Sequence, residues 1–268
     1  MATSVEEINK MEEGECRSST GSGFCGSNQT VQMIQKIIAE VVGTYILIFA
    51  GCASVILHKQ NKDINFTGVA LVWGSAVLVM IYSVGHISGA HFNPTVTVTF
   101  AIFRQFPIKQ VPLYIIAQFV GSFLASGSLY LLYEPDENAY FGTTPAGSHV
   151  QSLVVEIITT FLLLFVASAV ATDNRAIGEL AGIALGTTIM VDVFIAGPIS
   201  GASMNPARSI GPAVIMHVYK GLWIYVVGPF VGALVGGFCY NLIRFTDKPL
   251  REISKSASFL KRTKSVAG

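Results

Sequence analysis

The 268-residue chain is 51% hydrophobic and only 12% charged, against about 25% charged for an ordinary soluble domain, which is the composition of a membrane protein. Its formal net charge of +1 gives no basic excess, and no nucleic-acid module signature is present, so nucleic acid is not an expected partner. The four cysteines, Cys16, Cys25, Cys52 and Cys239, have neither metal-ligand nor disulfide-scaffold spacing. No metal or cofactor is expected, and Cys52 and Cys239, which lie in apolar runs, read as small buried hydrophobes.

In chain order, residues 1–32, rich in Glu, Ser, Gly and Thr, read as a disordered tail. They lack the apolar core of a signal peptide, so the first span is expected to direct insertion. Six apolar runs long enough to cross a bilayer follow, at about 33–57, 66–86, 110–132, 150–171, 177–196 and 221–243, the fifth broken near its end by Gly197-Pro198. Residues 244–268 form a second polar tail with seven Lys or Arg. Arg104, Lys109 and Arg175 mark two short loops as basic, whereas the 133–149 loop carries Glu134, Asp136 and Glu137 and no Lys or Arg. The bias of basic residues toward the cytosol then places both termini there. One loop, 58–65, is discordant, with Lys59 and Lys62 on the expected outer side. It also holds the sequon Asn65-Phe66-Thr67, too near the membrane for glycosylation to be expected.

Ile87-Ser88-Gly89-Ala90-His91-Phe92-Asn93-Pro94 recurs as Ile199-Ser200-Gly201-Ala202-Ser203-Met204-Asn205-Pro206, 112 residues on. Asn is a strong N-cap and Pro suits the first helical position, so each copy should open a helix. The apolar run after each is about ten residues, or about 15 Å, half of a hydrocarbon core of about 30 Å. Irregular backbone at that depth is tolerated only where it is buried or lines a wet cavity, which implies a pore or site between two half-helices. The repeat extends further: Glu40 and Glu156 stand at matching places in spans one and four, and Tyr114 and Tyr225 in spans three and six. With three spans per half, the halves are inverted with respect to the membrane, and both half-helix starts meet at its midplane. Small residues at four-residue spacing (Ala117/Gly121/Ala125, Gly178/Gly182/Gly186, Gly228/Gly232/Gly236) read as helix-packing faces.

The paired motifs, with Arg208 after the second, resemble the aquaporin superfamily, the major intrinsic proteins, over about residues 33–243. The resemblance implies an all-α membrane protein of six transmembrane helices and two re-entrant half-helices, with a pore centre at Asn93, Pro94, Thr95, Asn205, Pro206 and Ala207. Thr95 departs from the family's alanine; its hydroxyl could narrow or polarise the centre, or it could turn away and pack. The resemblance also implies an outer constriction of Trp73, Val193, Ala202 and Arg208, with Val193 where water-selective members carry His. That set resembles the first subgroup of the plant nodulin-26-like intrinsic proteins. Two N-termini facing one point put positive potential there, which opposes cations and leaves neutral solutes free.

Glu40 and Glu156 are carboxylates inside spans, expected to brace the unwound loops by accepting their N–H groups. Asp192 beside Val193 could load cations at the mouth or bond a neighbouring helix. His91 reads as a loop brace, since no His or Cys partner has metal-ligand spacing. Ser258, in the basic tail, resembles the subgroup's site for a calcium-dependent protein kinase, and phosphorylation there would change the tail's charge. The expected function is a passive channel for water and small uncharged solutes in a plant membrane, the plasma membrane foremost, with no enzymatic chemistry. Glycerol and metalloid hydroxides such as arsenous or boric acid are the solutes the subgroup implies, with the lipid bilayer as partner and a homotetramer as assembly. A proton-coupled transporter using Glu40 and Glu156, or a scaffold with a closed pore, are the alternatives.

Overall fold

The computed structural model describes residues 22–60, 64–173, 175–176 and 178–244. The chain up to residue 21, Lys62 and the carboxy tail with Ser258 lie outside the described residues. The described residues form eight α-helices: α1 (Ser22–Lys59), α2 (Phe66–Ser88), α3 (Pro94–Ile102), α4 (Val111–Tyr133), α5 (His149–Thr172), α6 (Ala181–Ser200), α7 (Pro206–Ile215) and α8 (Ile224–Ile243). Six of them, all but α3 and α7, are long and apolar enough to cross a membrane. At about 1.5 Å per residue, the 9-residue α3 and the 10-residue α7 reach about halfway.

Two expectations are corrected. The tail expected over 1–32 is helical from Ser22: a helix that leaves the bilayer keeps its own hydrogen bonds and needs no apolar side chains, so hydropathy underestimates its length. Gly197-Pro198 does not break α6, which runs to Ser200. Pro198 withholds one donor within the last turn, and the Gly201 N–H still closes on the Gly197 carbonyl at 3.1 Å, so the loss is local.

The starts and stops follow local chemistry. Asn65 caps α2 by accepting from the Gly68 N–H at 2.8 Å, and Ser148 and Gln151 cap α5 reciprocally. Asn93 and Asn205 cap α3 and α7, each with proline at the first helical position. The stops of α2 and α6 are Gly89 (φ 88°) and Gly201 (φ 84°), the left-handed conformation that glycine adopts without penalty.

Packing repeats under exchange of α1–α4 for α5–α8. Helix α1 packs on α2 and α4, α5 packs on α6 and α8, and α2 meets α6 where the halves join. The closest approaches match: a Cβ on Gly121 would lie 2.6 Å from the Val41 carbonyl, and one on Gly232 would strike the equivalent Ile157 carbonyl. The packing expected of these glycines is the role they have. Helices α3 and α7 each touch both α4 and α8, and they meet each other at their starts.

Candidate functional site

The two loops between spanning helix and half-helix share one backbone. Ala90 (φ 52°) and Phe92 (φ 50°) are left-handed, as are Ala202 (φ 51°) and Met204 (φ 54°). Non-glycine residues in that region cost on the order of 1–3 kcal/mol each and persist where surroundings over-determine them. Here the two buried acids do so. Glu40 accepts from the His91 N–H (3.0 Å), the Phe92 N–H (2.8 Å), Ser88 Oγ (2.7 Å) and Gln118 Nε2 (2.9 Å). Glu156 accepts from the Ser203 and Met204 N–H groups (both 2.8 Å) and Ser200 Oγ (2.6 Å). Hydrogen bonds to a carboxylate contribute roughly 1.5–3 kcal/mol each, enough to offset the strained turns.

Turning the N–H groups onto the acids aims carbonyls the other way, at the opposite loop. Asn93 Nδ2 donates to the Met204 carbonyl and Asn205 Nδ2 to the Phe92 carbonyl, both at 2.8 Å. Asn93 Oδ1 accepts from the Thr95 N–H and Asn205 Oδ1 from the Ala207 N–H, both at 2.9 Å. With one N–H of each amide spent across the junction, one remains on each asparagine.

Both asparagines line a cavity that offers ≈ 100 Å³ to the centres of water-sized molecules, room for several waters at about 10–15 Å³ each. Its lining combines Asn93, Asn205, Arg208 and loop residues with apolar side chains, Leu47, Val77, Phe100, Leu163 and Ile189 among them. Trp73, Val193, Ala202 and Arg208 all line this cavity. The Arg208 guanidinium lies 4.8 Å from the Trp73 ring centroid. Its Nη2 makes a long 3.5 Å contact to the Gly201 carbonyl, and Nε and Nη1 have no partner among the described residues.

Pro94, Thr95, Pro206 and Ala207 are buried beside the asparagines and do not line the cavity. Thr95 is fully buried, so of its two readings the packing one is what the geometry has. Asp192 is also fully buried and does not line this cavity, with neither carboxyl oxygen bonded among the described residues. Neither the mouth nor a neighbouring helix receives it.

His91 is the brace expected of it. Its Nδ1 lies 3.0 Å from Thr97 Oγ1, whose proton goes to the Asn93 carbonyl while Gln118 Nε2 donates to it. Nδ1 must therefore carry the proton, and Nε2 is the bare acceptor. Phe100, Phe106 and Tyr114 fix the ring. No His, Cys, Asp and Glu cluster fit for a metal occurs among the described residues.

Sequence reasoning assigned no role to Tyr114 and Tyr225, yet their hydroxyls donate to the Ser88 and Ser200 carbonyls at 2.8 and 2.7 Å and hold the ends of α2 and α6. The signal was present, since both tyrosines sit at the same place in the two repeats.

The model of the major intrinsic protein family matches residues 27–240. A probable NIP-type aquaporin of Nicotiana alata is 62% identical over 260 residues, 96% of each chain. Nodulin-26 of Glycine max is 55% identical over 233 residues, 87% of this chain and 86% of its own. Among solved structures, the aquaglyceroporin of Plasmodium falciparum has the same fold, with a TM-score of 0.71 at 24% identity over 79% of this chain and 96% of that one. A family match across the whole helical region, together with relatives this similar over nearly the full chain, makes the protein a member of the major intrinsic protein family, the channel family of the aquaporins rather than an enzyme.

Proposed function

We propose that the cavity is a pore for water and small uncharged solutes, glycerol among them, with arsenous and boric acid as further permeants. The observation that carries this is the mixed lining. Unspent N–H groups of Asn93, Asn205 and Arg208 line the same cavity as apolar side chains, so a molecule with both oxygens and a carbon edge finds donors for the one and dispersion for the other. Trp73 and Val193 give the Arg208 end an apolar wall without the extra donor that His at position 193 would supply. The two half-helix N-termini and Arg208 set a positive potential along the path, which opposes cations and protons.

In this reading each subunit of a homotetramer in a plant plasma membrane holds its own pore, and the tail with Ser258 is a kinase substrate. Coupled transport through Glu40 and Glu156 is disfavoured, because both acids are saturated with donors and neither lines the cavity.

The test is stopped-flow light scattering on proteoliposomes of the full chain, recording water and glycerol permeability in one preparation. The expected result is flux of both with a low activation energy, unaffected by collapse of a pH gradient. Arg208→Ala and Trp73→Ala should each change the glycerol-to-water ratio. Uptake that stops when the gradient is abolished would support the transporter, and no flux above empty liposomes would sink the proposal.

A further inference from the structure

Lys59 ends α1, and its Nζ donates to the Tyr140 carbonyl at 2.6 Å. Tyr140 belongs to the 134–148 segment joining α4 to α5, which folds down onto the α7 side of the site. Phe141 in that segment is fully buried, Thr143 Oγ1 donates to Ser209 Oγ of α7 at 2.7 Å, and the Ala146 N–H donates to the Ile199 carbonyl at 3.0 Å. Thr143 also lies against Gly201, whose carbonyl takes the Arg208 Nη2 contact, so the segment that Lys59 holds borders the Arg208 mouth. No carboxylate pairs with Lys59 among the described residues.

As the last residue of α1, Lys59 meets the negative end of that helix's dipole, which accounts for a basic residue there but not for its bond to the 134–148 segment. Membrane orientation gives no reason for it, since Lys59 lies in the one loop whose basic residues run against the charge bias. The carbonyl takes one ammonium N–H and leaves two.

We propose that Lys59 is a second charge-selecting residue of the Arg208 mouth: it fixes the Tyr140 carbonyl and holds a positive charge in series with Arg208, so that a cation is repelled before it reaches the constriction. The proposal rests on the channel reading above.

The experiment compares guanidinium and urea, which share a shape and differ by one charge, in proteoliposomes of the full chain. Lys59→Met and Lys59→Arg are measured alone and with Arg208→Ala, the latter to lift cation flux into range. Lys59→Met should raise the guanidinium-to-urea ratio about tenfold in the Arg208→Ala background, the low end of what focused fields do to local ion concentration. Lys59→Arg should leave it at the parent value. The difference should fade toward 1 M salt, where the screening length is about 3 Å. If Lys59→Met does not reconstitute, Lys59→Gln keeps a donor for Tyr140 without the charge and carries the same comparison. A ratio unmoved by the neutral variants, or moved equally by Lys59→Arg, overturns the proposal alone. Absence of water, glycerol and urea flux from the parent chain overturns the channel reading and this proposal with it.

Discussion

At the scale of single residues, Asp192 stands apart from Glu40 and Glu156: those two are saturated with donors, while Asp192 does not line the cavity and has no hydrogen-bond partner among the described residues. A buried polar group without a hydrogen bond costs about 1–3 kcal/mol, so Asp192→Val should hold or raise the stability of the purified protein by up to that amount, read in thermal melts. A loss of stability of the same size would mean that the carboxyl has a bonded partner, such as an internal water, and contributes to the fold. The sequence is misleading at this residue because a charge in a span suggests function, and whether it has a partner depends on helices distant in the chain. Asn93, Asn205 and Arg208 were legible for the converse reason: an N-cap followed by proline between apolar runs, and a charge at membrane depth, each narrow the choice of role without any knowledge of a partner. Trp73 and Val193 reach the cavity, but only the full set at its spacing points to them; singly, each is an ordinary apolar residue on a span.

At the scale of elements, the spans and half-helices were readable from apolar length and caps, and the errors fell at ends governed by other forces. The start of α1 lies beyond the apolar run, where hydropathy carries no information, and the continuation of α6 through Pro198 depends on how near the proline is to the helix end. Equally hidden was the network that ties three elements together at the end of α5. Asp173 accepts from Arg175 Nε and Nη2 at 3.0 and 2.6 Å and from Tyr240 of α8 at 2.9 Å. Arg244, just past α8, donates to the Thr172 carbonyl at 2.6 Å, and Gln105, after α3, donates to Thr172 Oγ1 at 3.1 Å. The bonds from Arg175 hold the Asp173 carboxyl well below the usual carboxylate range. A lowered native value means that the stabilisation is complete above the unfolded value of about 3.9 and is lost as pH falls through the native one. Arg175 is largely exposed, so solvent screens the pair and Asp173→Asn should cost only about 1 kcal/mol at pH 7. The gap between wild type and variant should stay constant from pH 7 to about 4 and narrow only below that. A gap already closing near neutrality in thermal melts would show that Asp173 is not held as these contacts imply.

At the scale of the molecule, the pseudo-twofold makes the two ends of the cavity chemical opposites. Between α2–α3 and α6–α7, residues 112 apart occupy equivalent places, and each residue of the constriction has a mate on the cavity wall: Leu185 for Trp73, Ile81 for Val193, Ala90 for Ala202 and Val96 for Arg208. The Arg208 end, where Trp73 of α2 joins Val193, Ala202 and Arg208, has a cation and an indole, while the four image residues have neither a charge nor a side-chain donor. Of the two ends, only the Arg208 end then selects by charge, and the opposite end can discriminate only by width and by the cost of stripping water. Resistances in series add, so an end that does not limit the flux is silent until it becomes the narrower. Leu185→Trp places an indole at the image of Trp73 and should make that end limiting for the larger permeant. A barrier raised by about 1.4 kcal/mol lowers a rate tenfold, and a loss of glycerol flux of at least that order is expected, with water reduced less and the guanidinium-to-urea ratio unmoved. Paired flux measurements on proteoliposomes decide the matter. An unchanged glycerol flux in a folded Leu185→Trp variant would mean that this end of the cavity is not on the path, and a raised cation ratio would mean that charge selection is not confined to the Arg208 end.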